Sequence, residues 1–335
     1  MRLGITPPVE MAGVAASVEV GALAEALGYT DVFSSEVGSA DAFSPLAALA
    51  VKTAHVRLGT ALVPVFTRPP ALLAMTAASM QALSGGRFVL GIGTSTRDIV
   101  ERWMGLGFER PVERVRDYVD ALRRILSGDK VSFEGRTVRI HGFRRQTEPA
   151  PTIPIHVGAL GPRMCRLAGS VADGVQFALM SPEGVRNALG EVRAGLRQAG
   201  RDPADFDVVL RIPIAVDEPP EPVRFLARRL LTGYAIVPTY TATLARQGFG
   251  EPAAAVVEAW QAGDRARAVS LFPEAMVDAF FVHGTADECS ARLEAYGEAG
   301  VRTAILMHLS VAPTPEERAE RIAAQLRALA PSASA

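Results

Sequence analysis

Hydrophobic and polar positions along this chain follow two rhythms that take turns almost from end to end. Short aliphatic and β-branched runs at 2–6, 31–34, 56–63, 88–92, 155–157, 175–179, 208–215 and 303–307 predict strands. Between them, apolar residues recur every third or fourth position. That period predicts helices at Val14–Leu27, Phe43–Thr53, Pro69–Leu83, Ile99–Met104, Val112–Leu126, Pro162–Val171, Pro182–Ala199, Ala286–Ala299 and Pro315–Leu329. Two stretches break the alternation. Lys130–Ile140 predicts a hairpin around Glu134-Gly135, followed by a Pro-rich run to Pro154. Helical patterns from Pro222 through Val277 fill a second long connection.

Strands separated by helices predict parallel pairing, and eight of them predict a (β/α)8 TIM barrel. The expected organisation is one domain over 1–330, with insertions at about 128–154 and 232–284, after the fourth and seventh strands, and a flexible tail at 331–335. An open doubly wound sheet is the alternative. Its first strand–helix turn would carry GxGxxG, whereas here a lone Gly4 precedes Thr6-Pro7-Pro8.

Composition narrows the function classes. A chain of 335 residues that is 49% hydrophobic can fill a large core. A formal net charge of -1 makes no electrostatic case for nucleic acid or an anionic membrane. Cys165 and Cys289 have neither zinc-site nor disulfide-framework spacing and read as small core residues. No stretch reaches the ~20 apolar residues of a membrane span, and the N-terminus lacks a signal peptide's apolar run. The expectation is a soluble, cytoplasmic protein acting on a small molecule.

In a barrel the chemistry sits at the C-terminal strand ends. Ile153-Pro-Ile-His-Val-Gly-Ala-Leu-Gly-Pro-Arg-Met164 reads as a strand, a Gly turn and a helix opening on Gly161-Pro162. Free N–H groups and the positive dipole end of such a helix suit a phosphate. Phe88-Val-Leu-Gly-Ile-Gly-Thr-Ser95 makes the same offer after an earlier strand. The ionisable residues within reach are Glu36, His308, Asp217 and, further off, Arg68 and Asp98. There is no metal-ligand cluster and no nucleophile elbow. A site poor in acids and bases but provided with phosphate turns fits redox chemistry carried by a cofactor.

Plainer readings stand beside these. Gly91 and Gly93 can simply give room in a crowded barrel layer, and Glu36 can be an ordinary solvated carboxylate. His156 reads as a packed strand residue and Asp173 as a turn-former before Gly174. Trp103 and Phe108 either line a pocket or pack a helix.

Three blocks in order resemble the bacterial luciferase-like superfamily: Thr60-Ala-Leu-Val-Pro-Val-Phe-Thr-Arg-Pro-Pro-Ala-Leu-Leu-Ala-Met75, Ser84-Gly-Gly-Arg-Phe-Val-Leu-Gly-Ile-Gly-Thr-Ser95, and Gly158-Ala-Leu-Gly-Pro-Arg-Met164 with Ala168-Gly-Ser-Val-Ala-Asp-Gly174. With His283-Gly-Thr-Ala-Asp-Glu-Cys289 near the end, the chain looks most similar to the coenzyme F420-dependent oxidoreductases. FMN-using relatives share most of the blocks. The resemblance implies a barrel with a deazaflavin at its mouth and a non-proline cis peptide at Ala61-Leu62, with Val63 beside it, backing the ring. It implies that Gly158, Ala159, Leu160, Gly161 and Pro162 hold the phosphate. Gly93, Thr94 and Ser95 would serve the phosphate or the tail beside the ring, and Ser35 and Glu36 would meet the ring. Arg97, Arg163 and Arg166 could meet an acidic tail. Glu36 is the candidate catalytic residue, although relatives that carry Asp-His have a histidine where this chain has Val37.

Phe33, Phe66, Trp103, Phe177 and Tyr234 are the candidate substrate-pocket residues, with Tyr240 and Phe249 in the same late insertion. The implied function is hydride transfer between F420 and a small organic substrate, in a homodimer, with no metal. The alternatives are a monooxygenase fed reduced FMN by a partner reductase, and a non-catalytic flavin-binding barrel.

Overall fold

The computed structural model describes residues 1–146 and 152–331. Most of the tail at 331–335, and 147–151 of the first insertion, lie outside the described residues. The strands are β1 (Arg2–Ile5), β2 (Asp31–Ser34), β3 (Arg57–Thr60), β4 (Val63–Pro64), β5 (Phe88–Gly93), β6 (Val131–Glu134), β7 (Arg139–Phe143), β8 (Ile155–Gly158), β9 (Gly174–Ala178), β10 (Asp207–Val216), β11 (Val282–Gly284) and β12 (Thr303–His308). The chain folds as the (β/α)8 TIM barrel that the alternation predicts, not as an open doubly wound sheet. It divides into two compact units. One comprises Thr30–Gln176 and Glu191–Asp207, and the other Met1–Tyr29, Phe177–Gly190 and Val208 onward.

In the first unit β2, β3, β5, β8 and β9 pair in parallel in that order, with β4 added on β5. Arg57 ties the N-terminal strand ends together, donating to Asp31 at 2.7 Å and Asp207 at 3.1 Å. Asp31 is fully buried, so this ion pair occupies a place that charge alone could not hold. Helix Pro111–Leu126 buries Val115, Tyr118, Val119, Leu122 and Ile125, one stripe at helical spacing. Its polar edge holds the loop after β4: Arg114 donates to the Val65 carbonyl at 2.9 Å and the Tyr118 hydroxyl to that of Arg68 at 3.0 Å.

β6 and β7 form the hairpin expected around Glu134-Gly135. The Asp117 carboxylate anchors its turn, accepting from the Thr137 amide and hydroxyl at 2.6 Å each. Asp173 does more than shape a turn, since it accepts from the Ile155 amide at 2.8 Å and from Arg123 at 2.9 Å.

In the second unit the order is β11-β10-β12-β1, also parallel. β11 is an addition to the sequence reading, because three residues are too few to show a strand period. After β10, helices Pro220–Ala235, Pro238–Leu244, Gly250–Gln261 and Glu274–Phe280 gather around Leu231, Val256, Phe272 and Phe280. Helix Ala286–Glu298 opens with a reciprocal Thr285/Glu288 cap. Cys165 and Cys289 are both buried, and neither is joined in a disulfide.

Candidate active site

The predicted strand over 56–63 is interrupted in the structure. β3 ends at Thr60, the Ala61-Leu62 peptide is cis as the resemblance implied, and β4 resumes at Val63. Two backbone bonds fix the break. The Ala61 amide donates to the Ser34 carbonyl at 2.6 Å, and the Glu36 amide donates to the Leu62 carbonyl at 3.4 Å. Ser35 lies between those two anchors.

The Leu62 side chain determines its surroundings. A Cβ at Gly158 would stand 2.0 Å from Leu62 Cδ2, and one at Gly93 would stand 2.7 Å from Leu62 Cδ1. Both glycines therefore make room for Leu62, whichever ligand they also approach. Gly91 is similar: its Cβ would meet the Thr60 carbonyl at 2.0 Å and the Gln176 amide at 2.4 Å. The crowding reading of Gly91 and Gly93 thus describes what surrounds them.

Gly161 differs from these. It has extended backbone angles, and no atom lies within 4 Å of where its Cβ would stand. It precedes helix Pro162–Val171, which no side chain caps, so the first N–H groups of the helix stay available. Open space at an uncapped helix start is the geometry a phosphate requires. Gln176 adds a second sign of a polar ligand. Its Nε2 donates to the Thr60 carbonyl at 3.0 Å, and its buried Oε1 has no partner. The residues present fit a phosphate-bearing cofactor with hydrogen-bonding groups on its ring.

Thr94 and Ser95 end β5. The Thr94 hydroxyl donates to the Ser95 carbonyl at 3.1 Å, and Ser95 holds a left-handed φ of 57° that turns the chain out of the sheet. Ala159 is anchored by its amide to the Gln176 carbonyl at 3.1 Å.

Glu36 is not a free loop carboxylate. Arg68 grips it through Nη2 at 2.6 Å and Nε at 3.1 Å, and the Ala42 amide adds a third bond at 3.2 Å. Asp41 lies 4.0 Å from the same guanidinium, which stacks 4.8 Å over Phe43. The Glu36 bond raises the Arg68 pKa further above its ordinary value. The sequence suggested both residues as ionisable groups but gave no sign that they form one unit.

The other expected residues lie as follows. Phe33 is fully buried, its ring 2.6 Å from where a Gly59 Cβ would stand. Phe66 stacks on Phe108 at 4.8 Å, and the Arg114 guanidinium lies 4.8 Å from the centre of the Phe66 ring. Trp103 is 62% exposed, beside Gly38 in the loop that follows Glu36. Arg97 is paired with Glu101 and Arg166 with Glu191, while Arg163 has no partner among the described residues. In the second unit, Phe177 is buried and Tyr234 packs edge-on against Tyr240.

His308 does not stand among the reachable ionisable groups, which corrects the sequence reading. Its Nδ1 lies 3.1 Å from Gln325 Oε1 on helix Pro315–Ala328, so the side chain faces the helical layer. Burial there lowers its pKa to about 4. His156 is buried as expected, and Gly174 gives room to its ring. Among the described residues no group of three or more His, Cys, Asp or Glu could hold a metal. No helix among them is long and apolar enough to cross a membrane.

The family model for luciferase-like monooxygenases matches residues 2–303. A 5,10-methylenetetrahydromethanopterin reductase of Methanolobus tindarius is 30% identical over 91% of this chain and 93% of its own. A putative coenzyme F420-dependent oxidoreductase of Mycobacterium tuberculosis is 29% identical over 84% and 88%. The structure of the coenzyme F420-dependent tetrahydromethanopterin reductase of Methanopyrus kandleri superposes with a TM-score of 0.81, at 24% identity over 97% of each chain.

Proposed function

This chain belongs to the luciferase-like monooxygenase family, and from that premise we propose that it is a coenzyme F420-dependent oxidoreductase passing a hydride between the deazaflavin and a small organic substrate. The observation that carries the reading is the uncapped helix start at Pro162 beside the open position at Gly161. The F420-dependent relatives support the identity of the cofactor.

Gly158, Ala159, Leu160, Gly161 and Pro162 would hold the phosphate, using backbone N–H groups and the helix dipole. Ala61, Leu62 and Val63 would back the ring, with Ser35 and Glu36 at its edge. Gly93, Thr94 and Ser95 would flank the chain that leads to the phosphate. When bound, the deazaflavin supplies a two-electron hydride carrier that reacts poorly with oxygen. Glu36 acts as a fixed hydrogen-bond acceptor, because Arg68 engages both of its oxygens. It orients what it touches and does not shuttle protons. The buried Gln176 Oε1 accepts from a ligand N–H. Phe33, Phe66, Trp103, Phe177 and Tyr234 remain the proposed surroundings of the substrate. A cytoplasmic homodimer is the matching assembly, to be checked by light scattering on the purified protein.

Fluorescence titration with F420 and, separately, with FMN tests the reading. F420 binds, and Gly161→Asp weakens it about 30-fold in a folded variant, about 2 kcal/mol of lost affinity from a carboxylate facing a phosphate. Tight FMN binding without F420 binding, or an unchanged F420 affinity in Gly161→Asp, would overturn it. Substrate-dependent oxidation of reduced F420 separates an enzyme from a barrel that only binds the cofactor.

A further inference from the structure

Arg211 sits in the middle of β10 and has no carboxylate partner among the described residues. Its Nη2 turns to the thioether of Met307, a weak acceptor, and its Nε is buried without any partner. A cation left this way is costly unless something else meets it. Strand alternation says where the side chain points. In β12, His308 packs against helix Pro315–Ala328, so Met307 faces the opposite side, and Arg211 lies with Met307 on that side. In a barrel the side opposite the helices is the interior.

Two tyrosines, Tyr234 and Tyr240, pack against the same apolar cluster as Met307. Tyr234 and Tyr240 meet edge to face at 4.9 Å, and neither hydroxyl has a hydrogen-bond partner among the described residues. Burial and the neighbouring Tyr234 hydroxyl push the Tyr240 phenol above its ordinary pKa, while the charge of Arg211 acts on it in the opposite direction. The Tyr240 phenol therefore keeps its proton and can donate it in a hydrogen bond. A planar guanidinium fork held at Met307, with two phenolic O–H groups packed on the same cluster and no anion supplied by the described residues, is suited to receive one.

We infer that Arg211, Tyr240 and Tyr234 form a subsite for a carboxylate or phosphate group carried by the substrate. This inference rests on the redox reading above only for the word substrate. As an anion site it stands on the geometry of the second unit alone.

Calorimetry with benzoate, phenyl phosphate and neutral benzamide, on the full chain at low salt, tests it. The anions bind at least 10-fold tighter than benzamide, and the tighter of the two tells carboxylate from phosphate. Arg211→Met abolishes the preference, Tyr240→Phe reduces it several-fold, and Arg265→Met, whose side chain stacks on Trp260, leaves it intact. Equal binding of all three probes, or a preference that survives Arg211→Met, overturns the subsite. Should Arg211→Met not fold, the wild-type salt dependence decides, since benzoate affinity that does not fall between 50 and 500 mM KCl overturns it as well. F420 titration of the same samples separates the two readings. Anion preference without F420 binding keeps the subsite and refutes the redox assignment, and F420 binding without anion preference does the reverse.

Discussion

Replacing Gly158 by Ala places a methyl group 2.0 Å from Leu62 Cδ2, where carbon atoms at rest stand about 3.5–4.0 Å apart. One of the two must move. Gly158 has no left-handed φ to protect, so the cost is steric and not conformational. Forced overpacking costs about 1–3 kcal/mol, less the few tenths that Ala returns by restricting the unfolded chain. With unfolding entropy near about 0.7 kcal/mol per K for a chain of this length, Tm falls by about 1–4 K. Chemical denaturation of the wild type, Gly158→Ala, Leu62→Ala and the double variant measures the interaction directly. In the Leu62→Ala background the new methyl finds space, so the two effects couple favourably by about 1–2 kcal/mol. Gly161→Ala is the internal control, since its Cβ meets nothing within 4 Å and stability stays level or rises slightly. If Gly158→Ala is as stable as the wild type and the cycle shows no coupling, Leu62 is not held where its contacts place it. The account of why this turn is glycine would then fail.

Arg57→Met takes the guanidinium away from the fully buried Asp31 carboxylate, which keeps its bond from the Thr30 hydroxyl, and should cost about 3 kcal/mol; a loss under about 1 kcal/mol in urea unfolding would show that the pair is not what holds these strand ends. His308 gives a pH signature. Its folded pKa of about 4 lies below the ordinary 6.5, so the unfolded chain takes up more protons between those values. Stability therefore rises with pH through that window and is lost as pH falls through it, by about 3 kcal/mol at most. Unfolding free energies measured from pH 7 to 4 should show a flatter acid limb for His308→Leu, and superimposable limbs would remove His308 as the cause.

The alternation of strand and helix periods already contained the barrel, because period 2 and period 3.6 are local properties of the chain. The helix start at Gly161-Pro162 was legible for the same reason, since Pro at a first helical position needs no tertiary partner. So was the hairpin around Glu134-Gly135. The cis peptide at Ala61-Leu62 came from likeness to a family and not from any period in the residues.

What tertiary structure decided are relations between residues far apart in sequence. Gly93 and Gly158 read as ligand-facing turn glycines, yet the Leu62 side chain, from the break between β3 and β4, is what denies each of them a Cβ. Glu36 and Arg68 are separated by a helix and two strands, and only the folded loops show that one grips the other. His308 ends a strand at the catalytic end, but which face it takes depends on where Gln325 stands on the last helix. Nothing in the sequence sets Arg211 apart, and that it has no carboxylate partner among the described residues is visible only once its neighbours are in place. A sequence sets periods, caps and breakers, which act over a few residues. Who shares a cavity, and which charge is left without a counterpart, depends on side chains that meet only after the strands have paired.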